Sequence, residues 1–249
     1  MTPRFSNPLE LLVRKLEAHT TLPPEDREAV LALPFKPRTL EAGSYTMREG
    51  DKPERCAVLI SGYAFRHKVT GDGSRQIVSL HILGEALDFQ NLFMPESDHN
   101  VQMLSRGDVA EIPTHAIEEL VLARPKVGEA VMIHTLVEAS IFREWTLNIG
   151  RRDARSRIAH LLCEFAFRLS ALKLDNGTAY ELPMTQEQLA DATGLTPVHV
   201  NRVLKALQAE GLISRDRRVI RFPDLARLRD VGDFNVRYLH TREELHPSS

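Results

Sequence analysis

The sequence predicts an α+β protein: a β-rich N-terminal roll, a long helix, and a C-terminal winged helix-turn-helix. Three observations carry that prediction. Short β-prone runs separated by turn residues fill the stretch from about Leu40 to Pro113. An uninterrupted helical pattern runs from Pro125 to about Asn148. A pair of short, well-capped helices is written into Met184 to Ala206. The expected boundaries are 1–124 for the roll, 125–150 for the long helix and hinge, and 151–249 for the C-terminal part.

Residues 8–33 read as short helices, with Pro23-Pro24-Glu25-Asp26 as a Pro-and-acid helix start. From Leu40 onward Val58-Leu59-Ile60, Tyr63 to Val69 and Gln76 to Leu83 are β-rich. Gly43, Gly50-Asp51, Ser61-Gly62 and Gly71-Asp72-Gly73 punctuate them. Short strands with tight turns suggest a rolled β-domain, closed by Gly107 to Pro113.

The long helix carries apolar residues on more than one face. Val127, Ala130, His134, Val137 and Ile141 form a 3-4 series, while Ile133, Leu136, Ser140 and Leu147 form a second stripe. One face for its own domain and one for a second copy would produce this pattern. The first series is taken as the dimer interface. Gly150-Arg151-Arg152-Asp153 breaks the pattern and is the expected hinge. An amphipathic helix follows from Asp153 to Ala171.

In the C-terminal motif Thr185 is an N-cap and Gln188 can complete a capping box. Gly194 falls where the chain leaves the first helix and needs a left-handed residue. Thr196 caps the second helix and Pro197 takes its first position. Val200, Val203, Leu204 and Leu207 then face inward, leaving Val198, His199, Asn201, Arg202 and Lys205 outward. Arg and Asn on such a helix can pair with base edges in a major groove. Thr185, Gln186, Thr196 and Pro197 complete the expected DNA-facing set. Beyond Gly211, two short β-prone runs flank Arg215-Asp216-Arg217-Arg218, a small hairpin. Arg217 and Arg218 at its tip would meet phosphates.

Charge supports that assignment. Residues 1–150 carry 16 Lys and Arg against 21 Asp and Glu, whereas residues 151–249 carry 16 against 13, so the excess of basic residues lies with the helix pair. A hydrophobic content of 43% is ample for packed cores. The sequence contains no uncharged apolar run of roughly 18 residues and no secretory signal pattern at Met1 to His19, so neither a membrane span nor export is expected. Two cysteines, Cys56 and Cys163, lie far apart in sequence, which fits a reducing cytoplasm.

The order of roll, long helix and winged helix-turn-helix resembles the Crp/Fnr family of bacterial transcription regulators over nearly the whole chain. Glu49-Gly50-Asp51, Leu59 to Gly62, Asp72-Gly73, Gly84-Glu85, Arg157-Ile158-Ala159 and the 185–205 motif carry the resemblance. It implies a cyclic-nucleotide-binding-like roll and a homodimer joined through the long helix. It further implies a two-fold operator on double-stranded DNA, with RNA polymerase as a partner. The major-groove docking mode is that of the catabolite activator of this family.

The sequence also departs from the family. Cyclic-nucleotide-binding members hold the ribose with a Gly-Glu pair and the phosphate with an Arg-Ser pair. Aligned through Leu92-Phe93, those positions fall on Asp88 and Phe89, and on His99 and Asn100. The hydroxyls that contact the base align with Arg143 and Glu144. Asp88 opposes a phosphate, and His99 is only partly charged near neutral pH. The expected effector pocket, Asp88, Phe89, Gln90, His99, Asn100 and Arg143, is therefore remodelled. Cyclic AMP is not expected to be the signal, and no cofactor is predicted. Val198 stands where many members carry a Glu that reads cytosine, so the half-site should differ.

Two alternatives keep the fold but change the signal: haem held by His67 or His81, or a thiol switch at Cys163. Two cysteines cannot hold the four-cysteine iron–sulfur cluster of oxygen-sensing members. A cupin-like metal enzyme would need closely spaced ligands such as a His-x-His pair, which the sequence lacks. No catalytic residue or metal site is expected.

Overall fold

The computed structural model describes residues 6–52, 54–171, 179–216 and 219–241. The chain forms two compact units. Of the described residues, one holds those up to Lys68, Ser79–Ile141 and 237–241; the other holds Val69–Val78 and those from Phe142 to Val236. The division falls inside the long helix, about two turns before the Gly150–Asp153 stretch expected to be the hinge.

The first unit opens with α1 (Glu10–Glu17) and α2 (Pro24–Leu31). The roll is built from β1 (Lys36–Leu40), β2 (Tyr45–Met47), β3 (Arg55–Leu59), β4 (Ala64–Val69), β5 (Arg75–His81), β6 (Asn100–Met103) and β7 (Gly107–Pro113). They form two sheets, in the orders β1-β7-β3 and β2-β6-β4-β5. β7 pairs antiparallel with both neighbours, placing Leu59 opposite Val109 and Arg38 opposite Val109 on its other edge. Leu40, Met47, Leu59, Val101, Met103 and Val109 fill the space inside. Two turns require glycine. Gly62 has φ 80° and a Cβ there would meet the Arg106 carbonyl at 2.7 Å. Gly84 has φ 83° and abuts the Leu11 carbonyl at 2.6 Å from an added Cβ, which fixes the roll against α1.

α3 (Thr114–Ala123) and the 27-residue α4 (Pro125–Arg151) follow. α4 runs through Gly150, and α5 (Ala154–Ala171) begins after Asp153, whose side chain accepts from Ser156 N at 2.8 Å. That bond, with help from the neighbouring Arg155, holds the Asp153 carboxyl below the usual range.

The first stripe of α4 is mostly buried within the chain, while the second is mixed: Leu136 and Leu147 are exposed, Ile133 is half-buried and Ser140 is buried. Val127, Ala130, His134 and Val137 are buried within the chain itself, and Ile141 is half-buried. Val127 and Ala130 belong to the same core as Leu12, Val58 and Ile112. These side chains are covered by the chain's own core, which leaves them little surface to offer a second copy. Met132, Leu136, Ala139, Arg143, Thr146 and Gly150 are exposed, at alternating spacings of four and three. Periodicity reveals both stripes; it does not reveal which one the chain covers itself.

The second unit adds β8 (Ala179–Glu181), α6 (Gln186–Thr193), α7 (Pro197–Ala209), β9 (Ser214–Asp216), β10 (Val219–Arg221) and α8 (Leu225–Val231), with α6, α7 and α8 packed on α5. Its core includes Ile158, Leu162, Leu189, Leu204, Leu207 and Leu228. Trp145 of α4 donates its indole N–H to Glu164 at 3.0 Å, and Arg168 bonds the other oxygen at 3.1 Å. A buried carboxylate is tolerable here because both of its oxygens are bonded.

Candidate nucleic-acid interface

α6 and α7 are set by local chemistry that was readable in the sequence. Thr185 Oγ1 accepts from Gln188 N at 3.1 Å, and Gln188 Oε1 accepts from Thr185 N at 2.9 Å, a closed capping box. Gly194 takes φ 64°, and the next amide, of Leu195, donates back to Ala190 O at 3.1 Å. Thr196 caps α7 by accepting from His199 N at 3.3 Å, with Pro197 in the first turn.

The inner face of α7 is Val200, Val203, Leu204 and Leu207, all buried. Its outer face carries Pro197, Val198, His199, Arg202 and Lys205, all exposed, with Asn201 half-buried beside them. Val198 is 72% exposed, a large apolar side chain left in water at the start of the helix. No carboxylate interrupts this face between Pro197 and Ala209. A helix with one packed face and one cationic, amide-bearing face matches the width of a B-form major groove.

The neighbouring sheet is larger than the expected hairpin. β10 pairs with β9 on one side and β8 on the other, giving the order β8-β10-β9. Tyr180 of β8 packs on Phe222 with ring centres 5.6 Å apart. Arg217 and Arg218, expected at the wing tip, lie outside the described residues. A polar cleft of about 160 Å³ opens between the start of α6 and the wing, lined by Thr185, Gln186, Arg215 and Leu182 among others. Arg215 sits on β9 next to the helix start, a combination suited to a phosphate. Sequence reading passed over Arg215 because only the strand pairing turns it toward α6.

The motif is braced from α5. Arg157 Nε donates to Arg152 O at 2.8 Å and Nη1 donates to Thr193 O at 3.1 Å. Arg155 pairs with Glu210 at the end of α7. His160 is buried, its Nδ1 3.1 Å from Gly232 O, and burial pushes its pKa down.

The remodelled pocket residues of the roll are largely paired with one another. His99 is buried, with Nδ1 2.7 Å from Asp98 Oδ1 and Nε2 3.5 Å from Asp88 Oδ1. The Gln90 amide stands 3.1 Å from His99 Nδ1. The bond from His99 holds the Asp98 carboxyl below its ordinary range. Asn100 instead accepts from Glu49 N at 3.2 Å, and Phe89 packs edge-on against His134 with centroids 5.7 Å apart. The structure thus brings Asp88, Gln90 and His99 together, while Arg143 belongs to the other unit. Both thiols are buried and protonated: burial raises Cys56 far above its ordinary value and Cys163 to about 12. That is the opposite of the thiolate a redox switch needs. His67 and His81 are enclosed at 2% and 1% exposure.

Comparison with known proteins finds two family matches. The Crp-like helix-turn-helix domain covers residues 156–231, and the cyclic nucleotide-binding domain covers residues 37–124. The transcriptional activator protein FnrL of Cereibacter sphaeroides is 33% identical over 201 residues, 79% of this chain and 80% of FnrL. A probable transcriptional activator of Rhizobium leguminosarum is 28% identical, covering 77% of this chain and 79% of its own length. Among solved structures, FixK2 from Bradyrhizobium japonicum superposes with a TM-score of 0.74 at 22% identity. It covers 82% of this chain and all of FixK2.

Proposed function

Because the chain belongs to the Crp/Fnr family of bacterial transcription regulators, we propose that it binds a two-fold operator as a homodimer and does so without cyclic AMP. The observation that carries the DNA reading is the outer face of α7. Val198, His199, Asn201, Arg202 and Lys205 present donors, an amide and an apolar tip from one helix whose other face is packed. Arg202 reads a guanine edge, and Val198 touches a thymine methyl in place of a cytosine contact. Thr185, Gln186 and Arg215 hold backbone phosphates at the helix start, with Arg217 and Arg218 extending that contact along the wing.

Dimerisation runs through the exposed heptad of α4, Met132, Leu136, Ala139, Arg143, Thr146 and Gly150. The reading without cyclic AMP rests on the Asp88–His99–Asp98 cluster. In it two carboxylates flank the imidazole of His99, the residue that aligns with the Arg by which family members hold the phosphate. The protein is a binder rather than an enzyme, acts in the bacterial cytoplasm, and meets RNA polymerase at the promoter. No helix among the described residues is long and apolar enough to cross a membrane.

Fluorescence anisotropy on a selected operator and on random duplex tests the assignment. Arg202→Ala should cost about 1–3 kcal/mol on the operator and little on random DNA. Equal losses on both would remove Arg202 from base recognition.

A further inference from the structure

The turn that aims α7 leaves two carbonyls at the end of α6 without partners from the helix itself. Gly194 N and Leu195 N, the amides that could reach Asp191 O, both donate to Ala190 O instead. Pro197, four residues beyond Thr193, has no N–H to offer the Thr193 carbonyl. Side chains from elsewhere in the chain bond both. Arg157 of α5 donates to Thr193 O at 3.1 Å, and Gln76 Nε2 donates to Asp191 O at 2.7 Å.

Gln76 does not act alone. Arg75 beside it brings Nε to 2.7 Å and Nη2 to 2.6 Å from Asp191 Oδ2, so one guanidinium sets two donors on a single carboxylate oxygen. The two side chains are only 28% and 20% exposed, and solvent screens such a pair less than an open surface pair. The Gln76 amide also donates to Ile77 O at 2.9 Å, which holds its orientation. Both residues follow a turn braced within itself. Thr70 N donates to Ser74 O and Gly73 N to Thr70 O, each at 2.9 Å, with Gly73 at φ 87°. That segment, Val69–Val78, belongs to the same compact unit as α6 and α7. Two cations, Arg75 and Arg157, thus stand at the C-terminal end of α6, where the helix dipole favours them. Arg157 falls inside the helix-turn-helix match at 156–231; Arg75 and Gln76 fall outside it.

We propose that Arg75 and Gln76 are positioning residues for DNA recognition. They act through Asp191, fixing the last turn of α6 and with it the angle at which α7 enters the groove. The assignment rests on the reading of α7 as the DNA-contacting helix.

The test uses the full-length protein, with anisotropy on a duplex selected by the wild type and on a random duplex of equal length. The quantity read is the ratio of the two affinities. Attraction to phosphates, which any change of charge alters, acts on both duplexes and cancels from that ratio. Arg75→Glu should lower the ratio about tenfold, and Gln76→Leu, which leaves the charge unchanged, about threefold. Arg75→Glu combined with Asp191→Lys reverses the pair and restores the net charge; its ratio should return to within about twofold of wild type. Single variants with an unchanged ratio, or a double variant no better than Arg75→Glu, would overturn the assignment. So would a lowered melting temperature with an unchanged ratio, the mark of a merely structural contact. If Arg75→Glu fails to fold, Gln76→Leu and the reversed pair decide. A wild type that binds both duplexes alike would refute the regulator reading and this assignment with it. A selective wild type with insensitive variants overturns the assignment alone.

Discussion

Arg157 donates through Nη1 to the backbone carbonyl of Thr193 at 3.1 Å, so a charged side chain of α5 closes the last turn of α6. The same guanidinium reaches back to Arg152 O at 2.8 Å. A cation at a helix C-terminus is favoured by the helix dipole, and these bonds join three segments around the turn that aims α7.

Arg157→Ala should therefore destabilise the protein by about 1–2 kcal/mol, an amount discounted for the partial exposure of the side chain. Urea denaturation of the full chain measures it. Operator affinity should fall along with stability, because α6 no longer has its brace. A loss within about 0.5 kcal/mol would show the bonds to be incidental.

His134 gives a pH prediction with a definite sign. It is 6% exposed, neither ring nitrogen has a hydrogen-bond partner, and burial lowers its pKa. Glu138 and Glu85 pull the other way, while Lys15 and His81 add to the lowering. A lowered folded pKa means that the unfolded chain binds more protons, so stability falls as pH drops below the ordinary histidine value of about 6.5. Between pH 7.5 and 5.5 this one group should remove up to about 1.3 kcal/mol. His134→Leu should flatten that part of the stability curve; an unchanged pH slope would mean that His134 titrates alike in the folded and unfolded chain.

The self-association seam is tested on α4. Leu136 is 61% exposed in the single chain, and a carboxylate there would be buried unpaired in a dimer. Leu136→Glu should sediment as a monomer and lose operator binding while keeping its thermal stability as a single chain. A variant that stays dimeric would remove this face from the interface.

Much of the helix-turn-helix geometry was legible in the sequence because its signals are local. The Thr185–Gln188 box, Gly194 and the Thr196-Pro197 start each depend on residues within one turn, and the structure has all three. The features that escaped depend on distant pairing. β8 joins the wing only by its register with β10, Tyr180 opposite Ile220, and Arg215 becomes part of a cleft only through that sheet. α4 shows two apolar series of the same period, and the burial of Val127 and Val137 within the chain is decided by tertiary packing that periodicity does not show. His99 gained its meaning from Asp88 eleven residues earlier, which alignment alone presents as two unrelated substitutions.

Selection of bound sites from a random DNA pool, by purified protein with and without cyclic AMP, tests the central claim most directly. The account predicts enrichment of a two-fold symmetric site without nucleotide, the same site and affinity when cyclic AMP is present, and relaxed preference at one half-site position for Arg202→Ala. Enrichment that appears only with cyclic AMP, or a selected site without two-fold symmetry, would contradict it.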